Sequence, residues 1–188
     1  VDADGRDVPA GARGLAAVSA IDFSHLRTPP EGGVTVLSDV TNPLTGPAGA
    51  AAVFGPQKGL TAADVEVVDG VLERYAACIA RRVPAADPLL PGAGAAGGTG
   101  FALAAWGADL VPGAQRIADL VDLAGAVAAA SLVVTGEGAF DGQSAAGKVP
   151  AFVQGLAAAH EVPVAVVAGR IAADADTTGF AHTISLAD

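Results

Sequence analysis

The stretch that most constrains this chain is Pro91–Gly100, PGAGAAGGTG, in which five of ten residues are glycine and none is charged. Glycine gives up more backbone freedom on folding than any other residue, so such a segment is a poor builder of a core. Its expected use is geometric: positive φ angles, close approach of a ligand to the main chain, and a following helix (FALAAW) whose free N–H groups suit an anion such as phosphate. Two further loops rich in small residues and carboxylates, Ser38–Gly46 and Thr135–Lys148, are read as walls of the same cleft.

With 188 residues the chain is long enough for a substantial core in one large domain or two small ones. Hydrophobic residues make up 52% and charged residues 16%, an apolar balance carried largely by alanine. No apolar run reaches the ~18 residues of a membrane span, and the opening VDADGRD lacks the basic-then-apolar pattern of a signal peptide. A formal net charge of -10 argues against nucleic acid or an anionic membrane as partner. The single cysteine, Cys78, falls on a predicted helix and is expected to be packing rather than redox chemistry, which fits a reducing cytoplasm. The chain contains no methionine, and the expectation is that it is part of a longer protein.

Along the chain, Asp4-Gly5 marks a turn, Pro9–Gly14 reads as irregular and Ala17–Ile21 as a short strand. Val34–Val40 is β-branched and nearly continuous, as expected of a strand covered on both faces, and it delivers Ser38, Asp39, Thr41 and Asn42 to its C-terminal end. Ligands of open α/β sheets bind at that end, although Asp39 has an equally simple reading as a turn cap. Thr45–Gly59 reads as loop, with Lys58 either solvated or touching phosphate. Thr61–Arg82 is the clearest helix: Thr61 at the N-cap, Asp64 in the first turn, and Val65, Val68, Leu72, Tyr75 and Ile79 on one face. Further helices are expected at Gly100–Trp106, Gly113–Leu123 (apolar positions Ile117, Leu120 and Val121), Ala126–Ala130 and, opened by Pro150, Ala151–His160. Strands are expected at Leu132–Thr135, Val162–Ala168 and Ala181–Leu186. The alternation is that of an α/β protein, with domains over 1–125 and 126–188.

Two motifs fail on context. Gly92-x-Gly94-x-x-Gly97 has the letters of a dinucleotide fingerprint, but DPLLP precedes it where a strand should. Gly142-x-x-x-x-Gly147-Lys148 matches a P-loop until Val149 stands where Ser or Thr would hold magnesium. Lys148 still suits phosphate as a point charge. Glu137 and Asp141, four apart in a glycine-rich segment after a strand, suit Mg²⁺, which takes one or two carboxylates besides phosphate oxygens and water; solvated acids in a turn are the plainer reading.

Three segments, SDVTNPLTGPAGAAAVFGPQKG (38–59), PGAGAAGGTG (91–100) and LVVTGEGAFDGQSAAGKVP (132–150), followed by VPVAVVAG, occur in an order and spacing that resembles the bacterial glycerate kinases of the glucarate- and allantoin-pathway type. The resemblance covers nearly the whole chain and implies the middle and later part of such a kinase, with the N-terminal portion and the C-terminal helix not included. It implies two α/β lobes, Rossmann-like or flavodoxin-like in their layers, incomplete in this chain, with the active site between them. It further implies ATP- and Mg²⁺-dependent phosphorylation of D-glycerate, on the 2-hydroxyl. On this chain's residues, Asp39 would orient or deprotonate the hydroxyl, and Thr41, Asn42 and Ser144 would hold substrate. Gly92, Gly94, Gly97, Gly98 and Thr99 would cradle an anion, Lys58 and Lys148 would offset phosphate charge, and Glu137 or Asp141 would reach magnesium. The alternatives left open are another hydroxy-acid kinase, transfer to the 3-hydroxyl, and a non-catalytic nucleotide- or metabolite-binding piece that pairs with the N-terminal portion.

Overall fold

A computed structural model describes residues 1–141 and 149–187. The fold is mixed α/β with parallel sheets, and the chain divides into two compact units, Val1–Pro112 and Gly113–Asp188. The division falls before the expected 125/126 boundary, because helices α5 (Gly113–Leu120) and α6 (Leu123–Ala128) pack on one another and α5 also packs on α7 (Val149–Ala158).

In the first unit a one-turn helix α1 (Ala12–Leu15) breaks the irregular stretch expected there. Ala17–Ile21 is not a strand: its amides close turns onto Gly14 and Leu15 or reach the Val1 carbonyl, which leaves no ladder to join. Strand β1 (Thr35–Ser38) pairs in parallel with β2 (Asp109–Pro112), Thr35 opposite Asp109 and Ser38 opposite Pro112. β1 is not covered on both faces as its composition implies. It alternates exposed and half-buried residues, and Leu37 is 45% exposed, because the sheet has two strands only.

The segment between them is more helical than its small residues suggest. Helix α2 (Ala50–Phe54) and a 3-10 turn at Pro56–Lys58 occupy the expected loop. Helix α3 (Ala62–Ala80) starts where expected: Thr61 and Asp64 exchange hydrogen bonds in a capping box, satisfying two amides that the first turn leaves free. Its face of Leu72, Ala76 and Ile79 meets Leu44, Ala93 and Phe101, all three fully buried, with Tyr75 edge-on to Phe101 at 5.9 Å. Burial raises the Tyr75 hydroxyl pKa, in keeping with a core role. Helix α4 (Thr99–Trp106) follows the glycine stretch.

In the second unit β3 (Val133–Phe140), β4 (Val164–Ile171) and β5 (His182–Ser185) form a parallel sheet in that order, with α7 crossing between the first two. Two expectations are corrected. β3 continues through Gly136–Phe140, where the glycines had read as loop; Glu137 pairs with Ala168 and Phe140 with Ile171, and Arg170 likewise lies within β4. A Cβ on Gly136 would lie 2.2 Å from the Val167 carbonyl oxygen, so glycine there permits the pairing rather than ending it. α5 turns Gly113 and Ala118 inward and leaves Ile117 and Leu120 exposed, as is Val121 just beyond its end, the reverse of the expected apolar face. α6 and α7 cover one side of the sheet through Val127, Ala157 and Val164, and Phe140 meets Phe180 edge-on beside Val166. Among the described residues no helix is long and apolar enough to cross a membrane.

The Thr61 hydroxyl, then its amide, lowers the Asp64 pKa below its ordinary 3.8. A depressed carboxylate stabilises the fold above its ordinary pKa and loses that contribution as pH falls through the lowered value. Thr61→Ala is expected to cost about 1 kcal/mol at neutral pH, with the gap to wild type shrinking at the acid end. Urea unfolding of both proteins at neutral pH and about pH 3 checks this.

Candidate active site

The carboxyl end of β1 is built by short-range turns and then clamped from two sides. The Ser38 hydroxyl donates to the Val40 carbonyl at 3.0 Å and accepts from the Val40 amide, which turns the chain as the strand ends and leaves Asp39 exposed. Asn42 donates from Nδ2 to the Ala48 carbonyl at 2.9 Å, folding Thr41–Gly49 back on itself. The glycine stretch and the residues just before it supply the first clamp: Gly94 N–H donates to Asn42 O at 2.9 Å, and Leu44 N–H donates to Pro88 O at 2.8 Å. The second comes from α3, whose Asp69 carboxylate accepts the Gly46 N–H at 3.1 Å to each oxygen.

Most of the glycines expected to cradle a ligand are used for this packing. A Cβ on Gly94 would lie 2.3 Å from Pro43 O, on Gly98 2.8 Å from the Leu44 side chain, and on Gly100 2.2 Å from Gly92 O. Gly92, at φ 88°, lies against Val40 O and the Ser38 hydroxyl. The stretch is therefore part of the core, contrary to its composition, with Gly92, Gly94, Gly98 and Gly100 all buried. The amides of Gly94, Gly97 and Gly98 donate to Asn42, Gly94 and Ala95, so they are not free for an anion. Gly97 differs from the other four: it is exposed, at φ 71°, and nothing lies within 4 Å of its missing Cβ. Beside it Ala96 also takes left-handed angles, an uncommon conformation for a residue with a side chain, and accepts the Thr99 hydroxyl at 3.2 Å.

The structure thus gathers Asp39, Thr41, Asn42, Gly92 and Gly94 at one strand end. Lys58 lies elsewhere in the same unit, on a hollow of about 670 Å³ that it shares with Phe54, Leu60, Leu72, Ala96 and Gly97; Asp39, Thr41 and Asn42 do not line it. Glu137 and Asp141 belong to the second unit. Glu137 sits within β3, where its Oε1 is buried and has no hydrogen-bond partner among the described residues, and Asp141 follows the strand directly. A buried carboxylate oxygen without a donor needs an explanation, and a cation is one that fits. Among the described residues no three acids, histidines or cysteines cluster to hold a metal unaided, so a hard cation would complete its shell from phosphate and water. Ser144 and Lys148 lie outside the described residues. Asp69 escaped the sequence reading. Its signal was a carboxylate bordering the apolar stripe of α3, one residue after Val68, where a surface helix seldom needs one.

These features describe a parallel α/β protein with polar and acidic groups at strand ends, the arrangement that binds ligands in open α/β sheets. The model of the glycerate kinase family matches residues 1–188, and the chain belongs to that family. It is 39% identical over 186 residues to the glycerate kinase of Bacillus subtilis, covering 98% of this chain and 48% of the relative. It is likewise 39% identical over 183 residues to the glycerate 2-kinase of Escherichia coli, covering 96% and 47%. A crystal structure from Salmonella typhimurium LT2 assigned as glycerate kinase 2 superposes with a TM-score of 0.78 at 42% identity, over 98% of this chain and 48% of that one. The chain therefore spans about half the length of the relatives it matches.

The glycine geometry separates two kinds of substitution. Gly94→Ala, at an ordinary φ of -75° but against Pro43 O, is expected to destabilise by about 1–3 kcal/mol through overlap. Gly97→Ala, in open space, carries only the left-handed backbone cost of about 1 kcal/mol. Chemical denaturation of the two variants side by side tests the order.

Proposed function

We propose that the chain carries the machinery for ATP-dependent phosphorylation of D-glycerate, with 2-phosphoglycerate as product. The observation that supports this most is the match of the family across all 188 residues together with the clamped strand end bearing Asp39, Thr41 and Asn42. In the step, the Asp39 carboxylate accepts the proton of the 2-hydroxyl as that oxygen bonds to the γ-phosphorus. The bond from the γ-phosphorus to the β,γ-bridging oxygen breaks, and ADP leaves. Such transfer asks the protein chiefly to position groups and to neutralise charge. Exposure of Asp39 at a strand end fixed by Ser38 gives the acceptor a defined position without burying its charge. Thr41 and Asn42 orient the glycerate. Lys58, on one hollow with Ala96 and Gly97, and Lys148 offset phosphate charge; the exposed Gly97, Thr99 and Ser144 complete the contacts. Glu137 and Asp141 hold magnesium, which when bound neutralises charge on the phosphate oxygens. Both ATP and magnesium would come from the cytoplasm.

A second reading, a nucleotide- or metabolite-binding unit that does not turn over alone, is favoured by the half-length match. Calorimetry with D-glycerate and with MgATP, followed by an ADP-release assay across hydroxy acids, separates the two. Binding of both without turnover selects the second reading, and binding of neither removes both. Where turnover is present, Asp39→Asn is expected to lower it at least about 100-fold with an unchanged melting temperature; normal turnover would take Asp39 out of the mechanism. Glu137→Gln is expected to weaken Mg²⁺ binding, read by direct titration of the metal, by about tenfold or more.

A further inference from the structure

The three-stranded sheet of the second unit has two unequal faces. Strand partners in a parallel pair point their side chains the same way. Val133 and Val164 therefore share one face, which α6 and α7 cover through Val127 and Ala157. The opposite face carries Val134 beside Ala165 on β4, and Val167 beside Ile184 on β5. Gly136 and the exposed His182 lie on it too and Ala165 is buried, but its larger apolar side chains on the outer strands are open: Val134 is 63% exposed and Ile184 49%. Parallel sheets occur almost only with both faces covered, since crossover helices bury them. A valine and an isoleucine left wet on the two outer strands of one sheet face, with half-buried Val167 on the strand between them, mark an interface rather than an ordinary surface.

The relatives indicate what covers it. The same stretch of sequence, at 39% identity over nearly all of this chain, makes up 48% and 47% of the Bacillus subtilis and Escherichia coli proteins, so in them it is accompanied by about as much sequence again. We propose that the Val134–Val167–Ile184 face docks an amphipathic helical layer from the remaining half of the family-length sequence, whether that half is on the same polypeptide or supplied in trans. The requirement is an apolar stripe about as long as the β3–β5 sheet is wide, laid on as α7 lies on the other side.

The probe is a polypeptide consisting of the part of the Bacillus subtilis glycerate kinase outside its aligned stretch, mixed with this chain and, separately, fused to it. Methyl NMR is expected to show the Val134, Val167 and Ile184 signals moving on association. Val134→Lys and Ile184→Lys should each weaken binding at least tenfold. Thr183→Lys, on the other face of the same edge strand, should leave it unchanged, which controls for general loss of fold. Shifts confined to other methyls, equal effects of all three lysines, or no association in either the mixed or the fused form would overturn the proposal. So would concentration-dependent self-association of this chain alone through the same methyls, which would make a second copy the occupant.

Discussion

The Gly94 amide and the Asn42 carbonyl, 2.9 Å apart, hold the first unit in its working shape. That bond forms because Gly94 has no Cβ; an added carbon would sit 2.3 Å from the neighbouring Pro43 oxygen. Through it, the glycine stretch, the turn after β1 and the fully buried Leu44, Ala93 and Phe101 become one packed body. Everything at the strand end inherits its position from this contact: Asp39 is exposed because Ser38 turns the chain, and Asn42 is held because its main chain is bonded on one side and its side chain on the other. Asp69 fixes the far end of the same loop from α3.

Glycine-rich segments have two physical uses that composition does not separate. A ligand approaching the backbone and another backbone approaching it both need the Cβ to be absent. In this protein the second use dominates at Gly94 and Gly100, and again at Gly136 in the second unit, where the β4 main chain is the neighbour, while Gly98 makes room for the Leu44 side chain. Gly97 is the exception: its surroundings are open, and with Ala96 it lines the hollow bearing Lys58. In this chain the glycine-rich motif is thus mostly scaffold for the neighbouring polar loop.

Legibility in the sequence followed the range of the interactions. α3 was readable because a capping box and a 3.6-residue period are local; Thr61, Asp64 and the Val65–Ile79 stripe state the helix without reference to anything else. α4, α7, β4 and β5 were readable within a few residues for the same reason. β2 was not, since four residues ending in proline show no periodicity and become a strand only opposite β1. The extension of β3 through Gly136–Phe140 was hidden because its letters are those of a loop, and pairing to β4 overrides them. The inward face of α5 was misread because the buried positions of this helix, which packs on α6 and α7, are Gly113 and Ala118, small residues that allow close packing, where hydrophobicity alone favours Ile117 and Leu120.

By itself the sequence determined the α/β class, the principal helix, the strand that leads into Asp39 and Asn42, and the family, because these rest on local periodicity, capping and the order of three long motifs. Only the tertiary structure decided that the glycines pack against Pro43 and Leu44, that Asp69 anchors the polar loop, and that one oxygen of Glu137 is buried without a donor among the described residues. The reason is that each of these is a contact between groups distant in sequence, or a consequence of one. Whether a missing Cβ or a carboxylate serves packing or chemistry depends on what the fold brings beside it.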